Sequence, residues 1–151
     1  MTKTAPLFGR LALVGVGLIG SSIARAARAQ GVVGEIVATA RSAATRRRVV
    51  ELGLADRVVE TNTAAAAGAD LVILCVPVGA CGAVAEEVGP HLERGATISD
   101  VGSVKAAVLR DMAPHLPDGV HFVPACTEKL KRMGRSLFAN GFHQRRSVMI
   151  A

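Results

Sequence analysis

Three glycines, Gly15, Gly17 and Gly20, follow directly on the apolar run of residues 11–14 and open an alanine-rich stretch over residues 18–30 that Gly31 closes. A short unbroken apolar run reads as a buried strand, and the stretch after it has helical spacing with Arg25 and Arg28 outward. The order is therefore strand, tight turn, helix. In that setting the first glycine makes the turn, the second admits a pyrophosphate against bare backbone, and the third lets helix and strand pack closely. Unpaired N–H groups at the helix N-terminus then face the phosphates. The cofactor turn is assigned to Gly15, Val16, Gly17, Leu18, Ile19 and Gly20.

The rest of the chain repeats the strand-helix alternation. Residues 35–40 read as a second strand, and Ser42 caps a helix that runs to about Leu52 and stops at Gly53. Val58 and Val59 suggest a short strand, and residues 63–68 a small helix. Residues 70–76 are the most strand-like run, ended by Pro77. A helix is expected over 78–88, a strand over 96–99, a helix over 103–112 with Ser103 as a cap or an active-site hydroxyl, capping being favoured by position, and a strand over 120–123. Near-continuous apolar strands alternating with helices imply a parallel sheet covered on both faces. The fold class is α/β, a Rossmann-type, doubly wound, mostly parallel sheet. Residues 1–128 form the expected NAD(P)-binding domain. Residues 129–151 form a divergent basic tail, without sustained period over 129–144 and with a candidate last strand at 147–150.

Composition narrows the function. Half the residues are apolar, with no Trp or Tyr and four Phe, which argues against an aromatic platform for single-stranded nucleic acid. The formal charge of +6 lies wholly in the tail: residues 1–128 hold twelve basic and twelve acidic side chains, while Lys129, Lys131, Arg132, Arg135, Arg145 and Arg146 have no acid beside them. Nucleic acid is thus not the expected partner. Cys75, Cys81 and Cys126 are odd in number and lack metal-ligand spacing, so free thiols are expected and no metal site. Lys3 and Arg10 before residues 11–20, with Ala24-Arg25-Ala26 after them, mimic a secretory leader, but regularly spaced glycines interrupt the apolar run. No run reaches the ~18 apolar residues of a membrane span. A cytoplasmic protein is expected.

Cofactor choice turns on the end of the second strand, where an NAD enzyme usually sets a carboxylate against the ribose 2′-hydroxyl. Here the chain reads Thr39-Ala40-Arg41-Ser42. With no acid to repel it, a 2′-phosphate suits Arg41 with Ser42 and Thr45, and NADP is expected over NAD. Val76 and Pro77, after the strongest strand, are expected to border the cofactor at the sheet's carboxyl edge. Cys75 reads as core and not as a nucleophile.

Together these residues resemble the prephenate and arogenate dehydrogenases, the cyclohexadienyl dehydrogenases of tyrosine biosynthesis. The likeness runs from about Leu11 to Val123. It rests on residues 14–22 around the glycines, on Cys75-Val76-Pro77-Val78, on Ser99-Asp100-Val101-Gly102-Ser103-Val104-Lys105, and on Phe122-Val123-Pro124. The Asp100 to Lys105 string is the most specific of these. The resemblance implies an oxidative decarboxylation of prephenate or arogenate: hydride leaves the ring carbon bearing the 4-hydroxyl for the nicotinamide, carbon dioxide departs, and the ring becomes aromatic. It also implies that Ser103 is a catalytic hydroxyl near the nicotinamide, and that the family's homodimer is built by a C-terminal helical domain lying beyond this chain.

One departure falls where the family does its chemistry. There the strand runs on into a His-Pro pair and an Ala-Gly-Thr-Glu string, and that histidine is the catalytic hydrogen-bond partner of the hydroxyl. This chain reads Ala125-Cys126-Thr127-Glu128. Neither His121, upstream on the strand, nor His143, in the tail, matches the motif. Dinucleotide binding with little or no turnover is the expectation. The competing readings are another Rossmann oxidoreductase, of β-hydroxyacid or imine-reductase type, and a non-catalytic dinucleotide module.

Overall fold

The computed structural model describes residues 5–125. Its strands are β1 (Phe8–Val14), β2 (Val33–Thr39), β3 (Arg57–Val59), β4 (Leu71–Leu74), β5 (Thr97–Asp100) and β6 (His121–Pro124). The helices are α1 (Leu18–Gln30), α2 (Ala43–Glu51), α3 (Asn62–Ala66), α4 (Cys81–Val88) and α5 (Lys105–Met112). All six strands run parallel in the order β3-β2-β1-β4-β5-β6. This is the doubly wound order of a dinucleotide-binding sheet, whose direction of winding reverses between β1 and β4.

Alternate residues of each strand feed two separate cores. Leu11, Leu13, Ile36, Ala38, Leu71 and Ile73 pack under α1 and α2 with Ile23, Ala24, Ala27 and Val49. Ala12, Val14, Val37, Val72, Leu74 and Ile98 pack on the opposite face with Ala65, Ala66, Ala85, Val88, Val108 and Met112 from α3, α4 and α5. The two-residue period of a strand sends successive side chains to opposite faces, so a fully apolar run is stable only when helices cover both.

Several boundaries differ from the sequence reading. β1 starts at Phe8 and not at residue 11, because polar contacts hold its first turn of pairing: the Arg10 N–H donates to Asp70 Oδ2 at 2.8 Å, and Arg10 Nε to Glu35 Oε2 at 2.7 Å. β4 stops at Leu74, so Cys75 and Val76 leave the ladder toward the carboxyl edge. The stretch expected as one helix over 78–88 begins with a 3₁₀ turn, Val78–Ala80, before α4. β2 ends at Thr39, leaving Ala40 in the following turn. The candidate strand at 147–150, His143 and the boundary at residue 128 lie outside the described residues. Among the described residues, no helix is long and apolar enough to cross a membrane.

Candidate functional site

Because every strand is parallel, the chain leaves β1, β2, β4 and β5 on one edge, and the sequence-assigned residues gather there. Backbone hydrogen bonds stitch the corners together beyond the strands: Gly15 N to the Thr39 carbonyl at 3.0 Å, Cys75 N to that of Val14 at 2.7 Å, and Val101 N to that of Leu74 at 3.2 Å.

The three glycines are held in three different situations. Gly15 has φ +86°, and a Cβ there would lie 2.7 Å from the Cys75 carbonyl oxygen and 3.1 Å from Val76 Cγ1. A left-handed turn pressed against a neighbouring corner leaves no room for a side chain. Gly20, buried in the first turn of α1, would put a Cβ 2.7 Å from the Gly15 carbonyl oxygen. Gly17 differs. It is the N-cap of α1 with φ −102°, and a Cβ there would meet nothing within 4 Å among the described residues. The main chain at Gly17 is therefore open to solvent while its two partners are closed by packing. Among the described residues no side chain caps α1, and no acid sits in its first turn, so its leading N–H groups keep their positive character. Val16 is buried beneath the turn, whereas Leu18 stands 91% exposed at its rim.

At the β2 corner, Ser42 caps α2: its Oγ accepts from Thr45 N at 3.0 Å and lies 2.8 Å from Thr45 Oγ1. Arg41 is exposed beside this pair. Arg46 has a part the sequence did not suggest. Its NH1 donates to the carbonyls of Ala40 at 2.8 Å and of Arg41 at 3.3 Å, which fixes the turn that presents Arg41.

Val76 is half-buried and Pro77 exposed beyond β4, so the structure brings Val76 against the glycine turn and leaves Pro77 at its margin. Cys75 is half-buried, and desolvation, followed by the nearby Asp100 charge, pushes its thiol up to about 12. Burial also raises Cys81. Thiolates are the reactive form, so both should resist alkylation in the native protein. Iodoacetamide at neutral pH is expected to modify Cys75 and Cys81 slowly before denaturation and fully after it, as read by peptide mass mapping. Fast native labelling of Cys75 would contradict its protected state. The raised value also carries a stability consequence: above about pH 9 the unfolded chain ionises this thiol while the fold keeps it protonated, so alkaline pH disfavours the fold.

Two strands along from the glycines, the expectation that Ser103 caps a helix is corrected. α5 begins at Lys105 with Val104 as N-cap and no side-chain cap. The reason is Asp100, a fully buried carboxylate that accepts from Gly102 N at 2.7 Å and from Lys105 Nζ at 2.5 Å. Its side chain draws the loop into an Asx-type turn, and the helix starts later. Ser103 is left exposed on that loop. An Asp two residues before a Gly is the sequence signature of such a turn. A groove lined by Arg25, Arg28, Leu52 and Leu54 lies against the other end of α1, away from these corners.

Comparison with known proteins agrees with this geometry. Residues 23–126 match the family model described as prephenate dehydrogenase, nucleotide-binding domain; the span begins just past the glycine turn. A cyclohexadienyl dehydrogenase of Zymomonas mobilis is 40% identical over 114 residues, which are 76% of this chain and 39% of that protein. The crystal structure of prephenate dehydrogenase from A. aeolicus in complex with hydroxyphenyl propionate and NAD+ superposes with a TM-score of 0.68 at 28% identity, over 77% of this chain and 40% of that one. For Synechocystis arogenate dehydrogenase the TM-score is 0.64 at 29% identity, over 70% of this chain and 37% of that one. This chain thus spans about two fifths of the length of these relatives. The doubly wound sheet, the glycine turn at its switch point and the family match lead to one conclusion: the chain belongs to the prephenate dehydrogenase nucleotide-binding domain family.

Proposed function

We propose that this chain binds NADP across the crevice between β1 and β4 and is the cofactor-binding part of a prephenate or arogenate dehydrogenase. The observation that carries the reading is the contrast at the glycine turn: two glycines where a Cβ would fall 2.7 Å from a carbonyl oxygen, and Gly17 between them open at the N-terminus of a helix without a side-chain cap. That arrangement exposes main-chain donors where a diphosphate can reach them. Residues 15–20 hold the pyrophosphate, Arg41 with Ser42 and Thr45 receive the 2′-phosphate, and Val76 and Pro77 border the middle of the cofactor. NAD, which the A. aeolicus relative holds, is the weaker ligand here because the β2 corner offers no carboxylate to its ribose.

When bound, the nicotinamide supplies the hydride acceptor. What this chain's residues add is placement: a rigid edge on which the cofactor lies, and the Ser103 hydroxyl presented on the same edge, two strands along. The segment after β6, which reads Ala125-Cys126-Thr127-Glu128, lacks an imidazole to accept the substrate's hydroxyl proton, so the isolated chain binds cofactor with little or no turnover.

Calorimetric titration with NADP and NAD tests the reading. Saturable binding of NADP, tighter than NAD, is expected, together with no more than trace NADPH formation when prephenate or arogenate is added. Absence of binding by either dinucleotide would end the cofactor reading, and steady turnover would end the inference drawn from the missing histidine.

A further inference from the structure

Asp100 is the fully buried carboxylate at the end of β5, and burying a charge is costly unless partners replace its water. Its partners come from three segments. Oδ2 accepts from Gly102 N at 2.7 Å in the loop after β5 and from Lys105 Nζ at 2.5 Å in the first turn of α5, and Oδ1 accepts from Ala125 N at 3.3 Å, where the chain leaves β6. A lysine at a helix N-terminus is opposed by the helix dipole, so α5 itself gives Lys105 no reason to sit there. Asp100 does. Packing closes the same loop from the β4 side: a Cβ on Gly102 would lie 3.0 Å from Val78 Cγ2, Val108 Cγ2 and Asp100 Oδ2 alike. A second tie, Ser99 Oγ to the Val123 carbonyl at 2.7 Å, joins β5 to β6 just beneath.

The loop so clamped carries exposed Ser103 and lies on the half of the sheet across the switch point from Arg41. A doubly wound sheet is two mononucleotide-binding halves, with the dinucleotide across both. The half holding β4 and β5 therefore faces the nicotinamide mononucleotide, given the cofactor placement proposed above.

We propose that Asp100, with Lys105, is a positioning residue for the nicotinamide half of the dinucleotide: the buried ion pair fixes the loop after β5 and the exit of β6 in one arrangement that receives it. The adenosine half, held at the β1 and β2 corners, does not depend on this pair. Loss of the pair makes the loop adopt several arrangements in the free protein, and only part of that population accepts the nicotinamide end.

The test compares a whole cofactor with half of one. NADP and 2′,5′-ADP are titrated by calorimetry into the wild type, Asp100→Asn, Lys105→Ala and Lys105→Arg. Asp100→Asn and Lys105→Ala are expected to weaken NADP about tenfold and to leave 2′,5′-ADP unchanged, while Lys105→Arg, which keeps the charge, retains most of the NADP affinity. Should Asp100→Asn not fold, as circular dichroism would show, the partly exposed Lys105 carries the comparison. Equal weakening of both ligands, or no weakening of either, overturns the proposal with the cofactor reading intact. Failure of the wild type to bind either ligand overturns the cofactor reading, and the positioning role falls with it.

Discussion

Gly17→Ala is expected to fold, at a cost of no more than about 1 kcal/mol for the poorer N-cap, and to lose about 100-fold in dinucleotide affinity, or about 2.7 kcal/mol. The two halves of this result have different causes. A Cβ at Gly17 meets no atom of the described residues within 4 Å, and φ −102° is open to any L residue, so no steric clash resists it. The added methyl projects instead into open space at the start of α1, where the proposed diphosphate would approach the leading N–H groups. Gly15→Ala and Gly20→Ala should behave oppositely, because each sets a Cβ 2.7 Å from a carbonyl oxygen and Gly15 adds a left-handed φ. Overpacking of this kind costs about 1–3 kcal/mol, visible as a melting temperature several degrees lower. Thermal melts and titrations on the three variants check the pattern. Wild-type NADP affinity in Gly17→Ala would show that no phosphate passes there.

The difference among these glycines marks what the sequence made legible and what it did not. Their spacing, set between an apolar run and an amphipathic helix, is enough to locate the turn at Gly15 and the close packing at Gly20, because few backbones accommodate that pattern. The strand cores at residues 11–14 and 71–74 were equally plain, since burial on both faces requires unbroken apolar runs. Polar contacts between distant residues were not plain. The start of β1 depends on Arg10 meeting Asp70, sixty positions away. Arg46 belongs to a run of three arginines that reads as a solvated helix face, yet it alone of the three turns back to hold the Ala40 and Arg41 carbonyls. By position alone Ser103 reads more readily as a cap than as an active-site hydroxyl; the side chain that shapes its loop, Asp100, lies three residues earlier, and its effect comes from which N–H groups it can reach.

The same limit separates the family from the finer cofactor choice. In the proposed reading the sheet order and the glycine turn set where a dinucleotide would lie, whereas a preference for a 2′-phosphate would rest on one exposed side chain in a turn. Exposed charges act weakly unless they are held still. The Arg46 clamp supplies that condition at the β2 corner by pinning the two carbonyls on either side of the Arg41 Cα.

Arg41→Ala is therefore expected to lower NADP affinity about 10- to 50-fold and to leave NAD affinity unchanged, since only the former ligand carries the 2′-phosphate that a guanidinium can hold with paired N–H donors. Salt gives an independent reading. An attraction between an exposed cation and a phosphate is screened, so the wild type's advantage for NADP over NAD should shrink steadily with ionic strength, while in Arg41→Ala the ratio stays flat. Arg46→Ala separates presentation from contact: releasing the Ala40 and Arg41 carbonyls frees the turn, so the NADP preference falls although Arg41 is still present, and the melting temperature falls with it. Calorimetric titrations of both dinucleotides at low and high salt measure all three. If Arg41→Ala kept both the preference and its salt dependence, the 2′-phosphate would have to be bound by another group, and the β2 corner would lose its claim to cofactor choice.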